Sequence, residues 1–439
     1  MAQVKNALIP ALGGPLGAHG RRSGPFFQPL PWAILAATGL FTLLYLRHLP
    51  CITTDPANPV NAYIRLCYSD VMVNYSYNEW ASGVHLLGGT DLDYPPLLAM
   101  LITLSSWFGR LLGWRFTSHP ASNGYEGLPE FFGATAILLF AAFLLLVVVS
   151  ALIARREGRS WDVMVIAASP VVLAAGLISW DLFGLALTAL AVLAFSVERT
   201  FEAALVGGLA ASTSTMALVF VVAMCAWCAL RNQWRRCALF AGAFSITVVL
   251  VHVPQAATSL SSVFRFYHGV VNGQISYGSV WYLLQDMGVP LREFGSLTFV
   301  VSLLLIGAWL AWLYTSRRMP SLGELAATMV LIWVLLAPAY PPQMALWVLF
   351  ALFLVRPASG VLWAYSLVQL LHTAAVWGRL AGHLEPGKSG PWMLYHLVVV
   401  LRAGFELALL LETMHSVRRR GSTAHRATER TPEAENSPN

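Results

Sequence analysis

Charge is scarce in this sequence. Aspartate, glutamate, lysine and arginine together make up 11% of its 439 residues, whereas hydrophobic residues make up 57%. The mean hydropathy of +0.64 is well above zero, so water is not the solvent of most of the chain. The composition therefore excludes an ordinary soluble domain and predicts an integral membrane protein.

Lysine is almost absent, since only Lys5 and Lys388 occur, and the net charge of +6 comes from arginine. A basic protein could bind nucleic acid, but these arginines form short clusters between apolar runs, as a topology signal does. The clusters on one side of the predicted spans are Arg155, Arg156, Arg159, Arg199, Arg231, Arg235, Arg236, Arg317, Arg318, Arg356 and 418–420. The positive-inside rule makes that side cytoplasmic and argues against a nucleic-acid partner.

Motifs for metal, serine and thiol chemistry are sparse. Neither HExxH nor GxSxG occurs, so zinc proteolysis and elbow-type serine hydrolysis have no support. Cys225 and Cys228 form a CxxC inside an apolar run, which favours core packing over metal or redox work. Cys51 and Cys67 share one predicted outer loop, and they could pair there if the compartment is oxidising.

Apolar runs of about 20 residues predict membrane spans, which must be helical because lipid offers no partner for backbone N–H and C=O groups. The predicted fold class is therefore all-α, with about twelve spans. They are 31–47, 131–154, 161–178, 181–197, 202–214, 215–230, 237–253, 296–314, 323–337, 342–355, 358–378 and 392–412. No small-residue cleavage site follows the first run, so we expect an uncleaved span there and not a signal peptide.

The run 97–114 is apolar enough to be a thirteenth span. Counting it would place Arg155 and Arg156 outside and put the two basic termini on opposite sides. Parity therefore predicts that 95–115 lies along the outer interface or re-enters the membrane, within a large outer loop from about 48 to 130.

The other segments complete the predicted organisation. Residues 1–30 form a cytoplasmic segment, 31–412 the transmembrane domain, and 413–439 a basic cytoplasmic tail whose polar composition predicts disorder. A second outer segment, aromatic and polar, covers about 254–295. Acidic residues are concentrated on the outer side, so any chemistry is expected to face outward.

Two aspartates precede an apolar helix in TDLDYPPLLAML, residues 90–101. The two prolines fit the first turn of that helix, and Asp91 and Asp93 then lie at the positive end of its dipole. Capping explains one aspartate, but not both together with Tyr94 at a membrane face. We expect this stretch to form one wall of an outward site. The pair would also allow a divalent cation to bind, although two carboxylates are a weak metal signal.

Other candidate residues lie at predicted outer span ends. Asp181 sits in a connection too short for a real loop, which fits either an anchored turn or an acid that lines a cavity. In FRFYHG, Arg265 and His268 could contact a phosphate, because arginine offers a bidentate fork and histidine a further donor. Contact with lipid headgroups explains them equally well. Asp70, taken alone, is consistent with an ordinary surface loop.

Five motifs occur together in one order: CYSD at 67–70, DLDYPPLLAML at 91–101, WDL at 180–182, GSVWYL at 278–283 and AYPPQMALWV at 339–348. This ordered set resembles glycosyltransferase family 87, a membrane-embedded family of the GT-C superfamily that includes polyprenol-phosphate-mannose-dependent mannosyltransferases. The resemblance runs from about residue 55 to 356. It implies a GT-C-like fold of many spans whose large first outer loop carries interfacial helices and the catalytic acid.

The resemblance also implies a reaction. One sugar, with mannose favoured, would pass with inversion from a polyprenyl-phosphate-sugar to a glycolipid or polysaccharide acceptor at the outer face of the plasma membrane. Asp70 matches the family's first-loop aspartate, so we expect it to be the general base. By chemistry and sidedness, Arg265 and His268 would stabilise the leaving phosphate. The other expected substrate contacts are Arg65, Asp91, Asp93, Tyr94, Asp181, Trp281 and Gln343.

Two positions depart from the family's pattern. Many relatives have lysines where this sequence has Ser214 and Pro338. The loss of two cations leaves open an altered donor or a non-catalytic relative of the family.

A transporter or flippase of lipid-linked sugars is the alternative from another class. Such a protein should place ionisable residues near mid-span. Only a few, such as Arg402 and Glu406, lie within a predicted span here. The concentration of acids at outer span ends favours the transferase.

The charge pattern makes a testable prediction about topology. Because both termini are basic and the number of predicted spans is even, green fluorescent protein fused after Asn439 should fluoresce and alkaline phosphatase fused there should be inactive. Alkaline phosphatase inserted in the loop 48–130 should be active. An active phosphatase at the C-terminus would show that the number of spans is odd.

Overall fold

The computed structural model describes residues 28–54, 60–77, 94–113, 127–291, 294–355, 358–388 and 390–429, the last without the side chains of 420–429. Within these ranges the regular secondary structure is helical and no strand occurs. The predicted all-α class is confirmed.

Sixteen α-helices follow one another along the described residues. They are α1 (Pro29–Ile52), α2 (Asp70–Tyr77), α3 (Pro96–Leu111), α4 (Leu128–Arg156), α5 (Met164–Ala167), α6 (Pro170–Ala175), α7 (Asp181–Ser196), α8 (Thr200–Ala211), α9 (Met216–Leu230), α10 (Trp234–Val271), α11 (Val280–Asp286), α12 (Phe294–Thr315), α13 (Leu322–Leu336), α14 (Met344–Val355), α15 (Ser359–Leu380) and α16 (Met393–Glu429). A 3-10 helix, Ser160–Val163, precedes α5.

Six of the described helices are long and apolar enough to cross a membrane, namely α1, α4, α10, α12, α15 and α16. Seven further apolar segments are shorter: α3, α7, α8, α9, α13, α14 and Ser160–Ala175, which contains α5 and α6. Every one of the twelve predicted spans coincides with one of these thirteen segments. The thirteenth is α3, the helix that parity kept out of the count. The chain is thus a polytopic membrane protein whose interior helices are short.

Serine residues fix the start of several helices. Ser169, Ser279 and Ser321 each accept a hydrogen bond from a backbone amide in the first turn of α6, α11 and α13. At α13 the Glu324 side chain bonds back to the amide of Ser321 and completes a capping box. These contacts satisfy amides that a helix leaves without an internal partner.

Helix α14 is the centre of the bundle. Nine of its twelve residues are buried, as expected for a helix that is apolar all round. Helices α6, α7, α13 and α15 pack around it. By contrast, α10 and α12 expose large aliphatic side chains, among them Leu250 and Leu304, which suit contact with lipid.

Helix α3 begins where the sequence predicted, at Pro96 after Pro95. The amides of Leu97 and Leu98 donate to the carbonyl of Ser212, at 2.9 and 3.4 Å, so the start of α3 is fixed on the turn between α8 and α9. Asp91 and Asp93 lie outside the described residues, and their place at this helix start stays a prediction.

Helix α10 is longer than the sequence predicted. We expected a span over 237–253 and a separate segment after it. The helix continues past Pro254 to a kink at Ser259, where φ is −150° and ψ is 82°, and a second helical piece follows the kink to Val271. Pro254 lies within the helix before the bend, where it lacks an amide donor and crowds the preceding turn. Arg265 and His268 are therefore helical residues and not loop residues.

Two sets of contacts hold the first part of the outer loop. Cys51 and Cys67 form a disulfide with Cα atoms 6.0 Å apart, so the pairing that the sequence allowed is present. Just after it, the Ser69 hydroxyl donates to the carbonyl of Leu177 at 2.6 Å and the amide of Asp70 donates to that of Ile178 at 2.7 Å. These bonds hold the start of α2 on the turn before α7.

A buried ion pair joins α16 to two connecting segments. Glu406 accepts hydrogen bonds from Arg402 at 2.8 Å, Tyr340 at 2.7 Å and Gln369 at 2.9 Å. Arg402 also donates to the carbonyl of Gly278 at 2.7 Å. Both charged side chains are at most 1% exposed. The pair is therefore a structural link between α15, α16 and the segments before α11 and α14.

The tail segment has one described part. Helix α16 extends to Glu429, and residues 430–439 lie outside the described ranges. The predicted disorder of 413–439 stays a prediction.

The buried pair predicts a large effect of a small substitution. Glu406→Gln keeps the size of the side chain but leaves the Arg402 charge without its counter-ion, so it should lower the free energy of unfolding by about 3–5 kcal/mol. Thermal unfolding in detergent measures the effect. Glu412→Gln, on the exposed side of the same helix, is the matched control. Equal melting temperatures for the two variants would show that Glu406 has no structural role.

Candidate functional site

Asp70 begins α2, and its carboxylate is held by neutral donors. The Tyr68 hydroxyl donates to Oδ1 at 3.0 Å, and the Gln343 amide donates to Oδ2 at 3.3 Å. Among the described residues no lysine, arginine or histidine pairs with this carboxylate. A carboxylate with only neutral partners keeps its ability to take up a proton.

Burial sets the acidity of Asp70. Loss of solvation is the main cause that raises its pKa to about 6; the hydrogen bond from Tyr68 opposes this rise, and the negative charge of Asp181 adds to it. Burial and the neighbouring Asp70 charge also raise the pKa of the Tyr68 phenol. Tyr68 therefore keeps its proton and remains a donor to Asp70 at any physiological pH.

Asp181 is a second carboxylate beside the first. It begins α7 and accepts a hydrogen bond from the indole of Trp347 at 2.8 Å on Oδ1 and from the Ser179 hydroxyl on Oδ2. The turn that precedes α7 also holds the amide of Asp70. The two acids thus start two helices that meet at one turn, and Asp181 acts on Asp70 through its charge.

Aromatic rings surround the two acids. The rings of Tyr63, Tyr68 and Trp377 lie together, with centroids 5.2 to 5.8 Å apart. The rings of Tyr94 and Trp180 pack edge to face with centroids 5.6 Å apart, and Trp180 directly precedes Asp181 in the chain. Flat apolar faces next to carboxylates are suited to contact with the C–H face of a sugar ring or with a prenyl chain.

Some of the predicted site residues lie together and others do not. Asp70, Asp181 and Gln343 are neighbours, and Tyr94 packs on Trp180. Asp91 and Asp93 lie outside the described residues. No hydrogen bond or ion pair between described side chains joins Asp70 to Arg65, Arg265, His268 or Trp281.

The residues that do not reach Asp70 have other surroundings. Arg65 is exposed in the turn before Cys67. Arg265 donates to the Ser262 hydroxyl at 3.1 Å, and His268 lines a separate cavity. The indole N–H of Trp281 donates to the carbonyl of Leu336 at 2.9 Å. Their roles toward a substrate stay predictions.

Sequence reasoning did not select Tyr68 and Trp347. Both lie within the quoted motifs, CYSD and AYPPQMALWV. One signal could have revealed Trp347: a fully buried indole N–H needs an acceptor, and an aspartate at a neighbouring span end is a suitable one. The phenol of Tyr68, two residues from Asp70, gave no comparable signal.

The two positions where the sequence resemblance predicted lysine are uncharged and confined. Ser214 lies against Gly184, where a Cβ added to the glycine would be 3.0 Å from the Ser214 Cβ and 3.3 Å from the Trp347 ring. The Pro338 ring lies 3.2 Å from the position of a Cβ at Gly273. Neither position supplies a cation to the acids.

Residues 382–389, GHLEPGKS, satisfy the pattern of a phosphate-binding loop. That pattern binds phosphate when it connects a strand to a helix, whereas this segment follows α15 in a chain whose described part has no strand. Lys388 instead pairs with Glu385 at 2.7 Å, and both side chains are exposed. The match therefore does not indicate a nucleotide site.

A metal site is not formed by the described residues. Among them, no group of three or more His, Cys, Asp or Glu side chains could hold an ion. The divalent cation that the sequence allowed depends on Asp91 and Asp93, which the structure does not describe.

Comparison with known proteins gives only distant likeness. No family model and no curated protein matches this chain. Among solved structures, ArnT from Cupriavidus metallidurans bound to undecaprenyl phosphate aligns with a TM-score of 0.45 and 12% identity, over 88% of this chain and 76% of that chain.

The raised pKa of Asp70 predicts how stability depends on pH. Because its pKa is about 6 in the folded protein and 3.8 as a free side chain, the folded state binds the proton more tightly. Its contribution to stability is complete below pH 3.8 and is lost as the pH rises through 6. At roughly 1.4 kcal/mol per pKa unit, the loss is at most about 3 kcal/mol.

Asp70→Asn should remove this dependence and be the more stable protein at pH 8. Melting curves in detergent between pH 4.5 and 8 measure it, with Asp162→Asn as a control that keeps the wild-type pH dependence. If wild type and Asp70→Asn showed parallel curves over this range, the carboxylate would not titrate as stated.

Proposed function

We propose that this protein is a membrane glycosyltransferase that moves a sugar from a polyprenyl-phosphate-sugar to an acceptor hydroxyl. The observation that supports it is that Asp70, Asp181 and Gln343, from three of the five ordered motifs and more than 100 residues apart in sequence, lie together. Gln343 bonds to Asp70, and the charge of Asp181 acts on it. The sequence resemblance to glycosyltransferase family 87 supplies the reaction class, and mannose is the favoured sugar on that ground.

Asp70 is the general base in this proposal. It takes the proton of the acceptor hydroxyl while that oxygen attacks the anomeric carbon from the face opposite the phosphate. The new carbon–oxygen bond forms, the bond from the anomeric carbon to the phosphate oxygen breaks, and the electron pair leaves with the phosphate. The configuration is inverted. A pKa of about 6 leaves the base ionised at pH 7 yet more basic than an ordinary aspartate.

The neutral partners of Asp70 have a defined task. Tyr68 and Gln343 each donate to one carboxylate oxygen, which orients the free lone pairs toward the substrate. Asp181, held by Trp347, increases the basicity of Asp70 by its charge. Positioned groups of this kind contribute to rate because they do not reorganise during the reaction.

The donor phosphate needs cations or other donors. Arg65 and Arg265 are our candidates, and a divalent ion at Asp91 and Asp93 would serve the same purpose. His268, which the sequence suggested for this role, lines a separate cavity. Tyr94 would line the sugar site between these acids and Trp180. The prenyl chain would remain in the bilayer, and the acceptor would be a glycolipid or polysaccharide at the outer face of the plasma membrane.

The buried charges argue against the transporter alternative. A carrier needs ionisable groups at mid-span that can exchange partners as the protein opens to each side. Arg402 and Glu406 are instead bonded to each other and to Tyr340, Gln369 and the Gly278 carbonyl. Arg402 and Glu406 therefore have a structural role, and they no longer support a transporter as ionisable groups within a span.

The activity itself is testable with a labelled donor. Membranes that contain the protein, supplied with radiolabelled polyprenyl-phosphate-mannose, should transfer label to an endogenous acceptor, and Asp70→Asn should transfer at least about 100-fold less because it cannot accept a proton. Asp162→Asn is the matched control. Equal incorporation by wild type and Asp70→Asn would remove Asp70 from the mechanism. No incorporation from mannose, arabinose or glucose donors would indicate a non-catalytic relative.

A second variant separates positioning from catalysis. Tyr68→Phe removes the hydrogen bond that lowers the pKa of Asp70, so the acid limb of the pH–rate profile should move to higher pH. The rate above pH 8 should fall much less than in Asp70→Asn. An unmoved acid limb would mean that Tyr68 does not act through Asp70.

A further inference from the structure

A cavity of about 670 Å³ lies away from Asp70, where the end of α10, the following loop, α11 and the start of α12 meet. The side chains that define it are those of His268, Asn272, Gln274, Gln285, Phe294 and Ser296. No residue of the site around Asp70 and Asp181 lines it. The cavity is therefore a separate feature with its own chemistry.

The described lining is mainly polar, with Ile275 and Leu291 as further apolar side chains, and it includes no acid, lysine or arginine. Arg292 and Glu293, between Leu291 and Phe294 in the chain, lie outside the described residues. One imidazole, three carboxamides and one hydroxyl each combine donor and acceptor capacity. Phe294 adds an aromatic ring, which packs on Trp281 with centroids 4.7 Å apart. A phosphate would call for arginine or lysine, and a lipid chain would call for apolar walls. Neutral amides beside an aromatic face instead match the hydroxyls and C–H face of a sugar.

Glycines shape the cavity wall. A Cβ on Gly295 would collide with the carbonyl of Gly273, so the start of α12 touches the loop through backbone alone. Gly295 is buried by this contact. Because backbone contacts of this kind leave no side chain to rearrange, the wall between the two glycines is preformed.

The cavity is connected to Asp70 by one short segment. The amide of Ser276 donates to the carbonyl of Pro338 at 3.0 Å, and the amide of Tyr340 donates to that of Tyr277 at 3.1 Å. Five residues after Pro338, Gln343 reaches Asp70. An extended chain of five residues spans at most about 18 Å, so one oligosaccharide could occupy the cavity and present a hydroxyl at Asp70.

We propose that this cavity is a saccharide-binding subsite, which holds the glycan part of the acceptor while its reacting hydroxyl lies at Asp70. The assignment of the bound sugar as acceptor rests on the proposed function. The binding of saccharide by these amides does not rest on the proposed function, and it can be measured without any sugar transfer.

The direct test is saturation-transfer difference NMR on the full chain in lipid nanodiscs, without glycoside detergents, which would compete. The probes are α-linked mannotriose and maltotriose, with inorganic phosphate as competitor. Wild type should bind at least one trisaccharide. Asn272→Ala/Gln285→Ala should weaken that binding at least tenfold, whereas Gln233→Ala, at a distant exposed amide, should not.

The outcomes separate the two proposals. Absence of trisaccharide binding, an unchanged affinity in Asn272→Ala/Gln285→Ala, or displacement by phosphate at equal concentration would each overturn the subsite. Binding lost in the double variant, in a protein with no transferase activity, would keep the saccharide site and overturn only the acceptor assignment. In an active enzyme the double variant should raise the KM for acceptor about tenfold and leave the KM for donor unchanged.

Discussion

The requirement that polar groups inside a membrane bond to one another governs this structure. The carboxylate of Glu406 shows it most clearly, because its three donors come from α15, from α16 itself and from the segment before α14. Arg402 carries the same network to Gly278. One charge pair at the core therefore fixes the two segments that lead to the cavity and to Gln343.

Hydrogen bonds to the backbone also hold the segments around Asp70, at the edge of the helix bundle. Ser69 and Asp70 bond to backbone carbonyls of the turn before α7, and Leu97 bonds to the turn after α8. The connecting segments around Asp70 are thus fixed on turns at helix ends of the bundle. Such a frame can hold a carboxylate in place while substrates approach from the opposite side.

Sequence reasoning recovered the helices well because apolar length and arginine position are physical requirements of a span. It predicted by parity that α3 is not a span, and through ordered motifs it selected Asp70, Asp181 and Gln343, which lie together in the structure. It did not foresee that α10 continues past Pro254, because a proline marks a weak point and cannot show whether packing carries the helix through. Nor did it find Tyr68, since a phenol has many uses and only tertiary structure selects its partner.

The shortness of α14 has a consequence for depth. Its twelve residues rise only about 18 Å, whereas the hydrocarbon core of a bilayer is about 30 Å thick. The difference must be made up by the segments at its ends, one of which carries Gln343. Because Gln343 bonds to Asp70, we expect this carboxylate to lie below the headgroup plane. An amphiphile could then reach it laterally while its acyl chain stays in the hydrocarbon core.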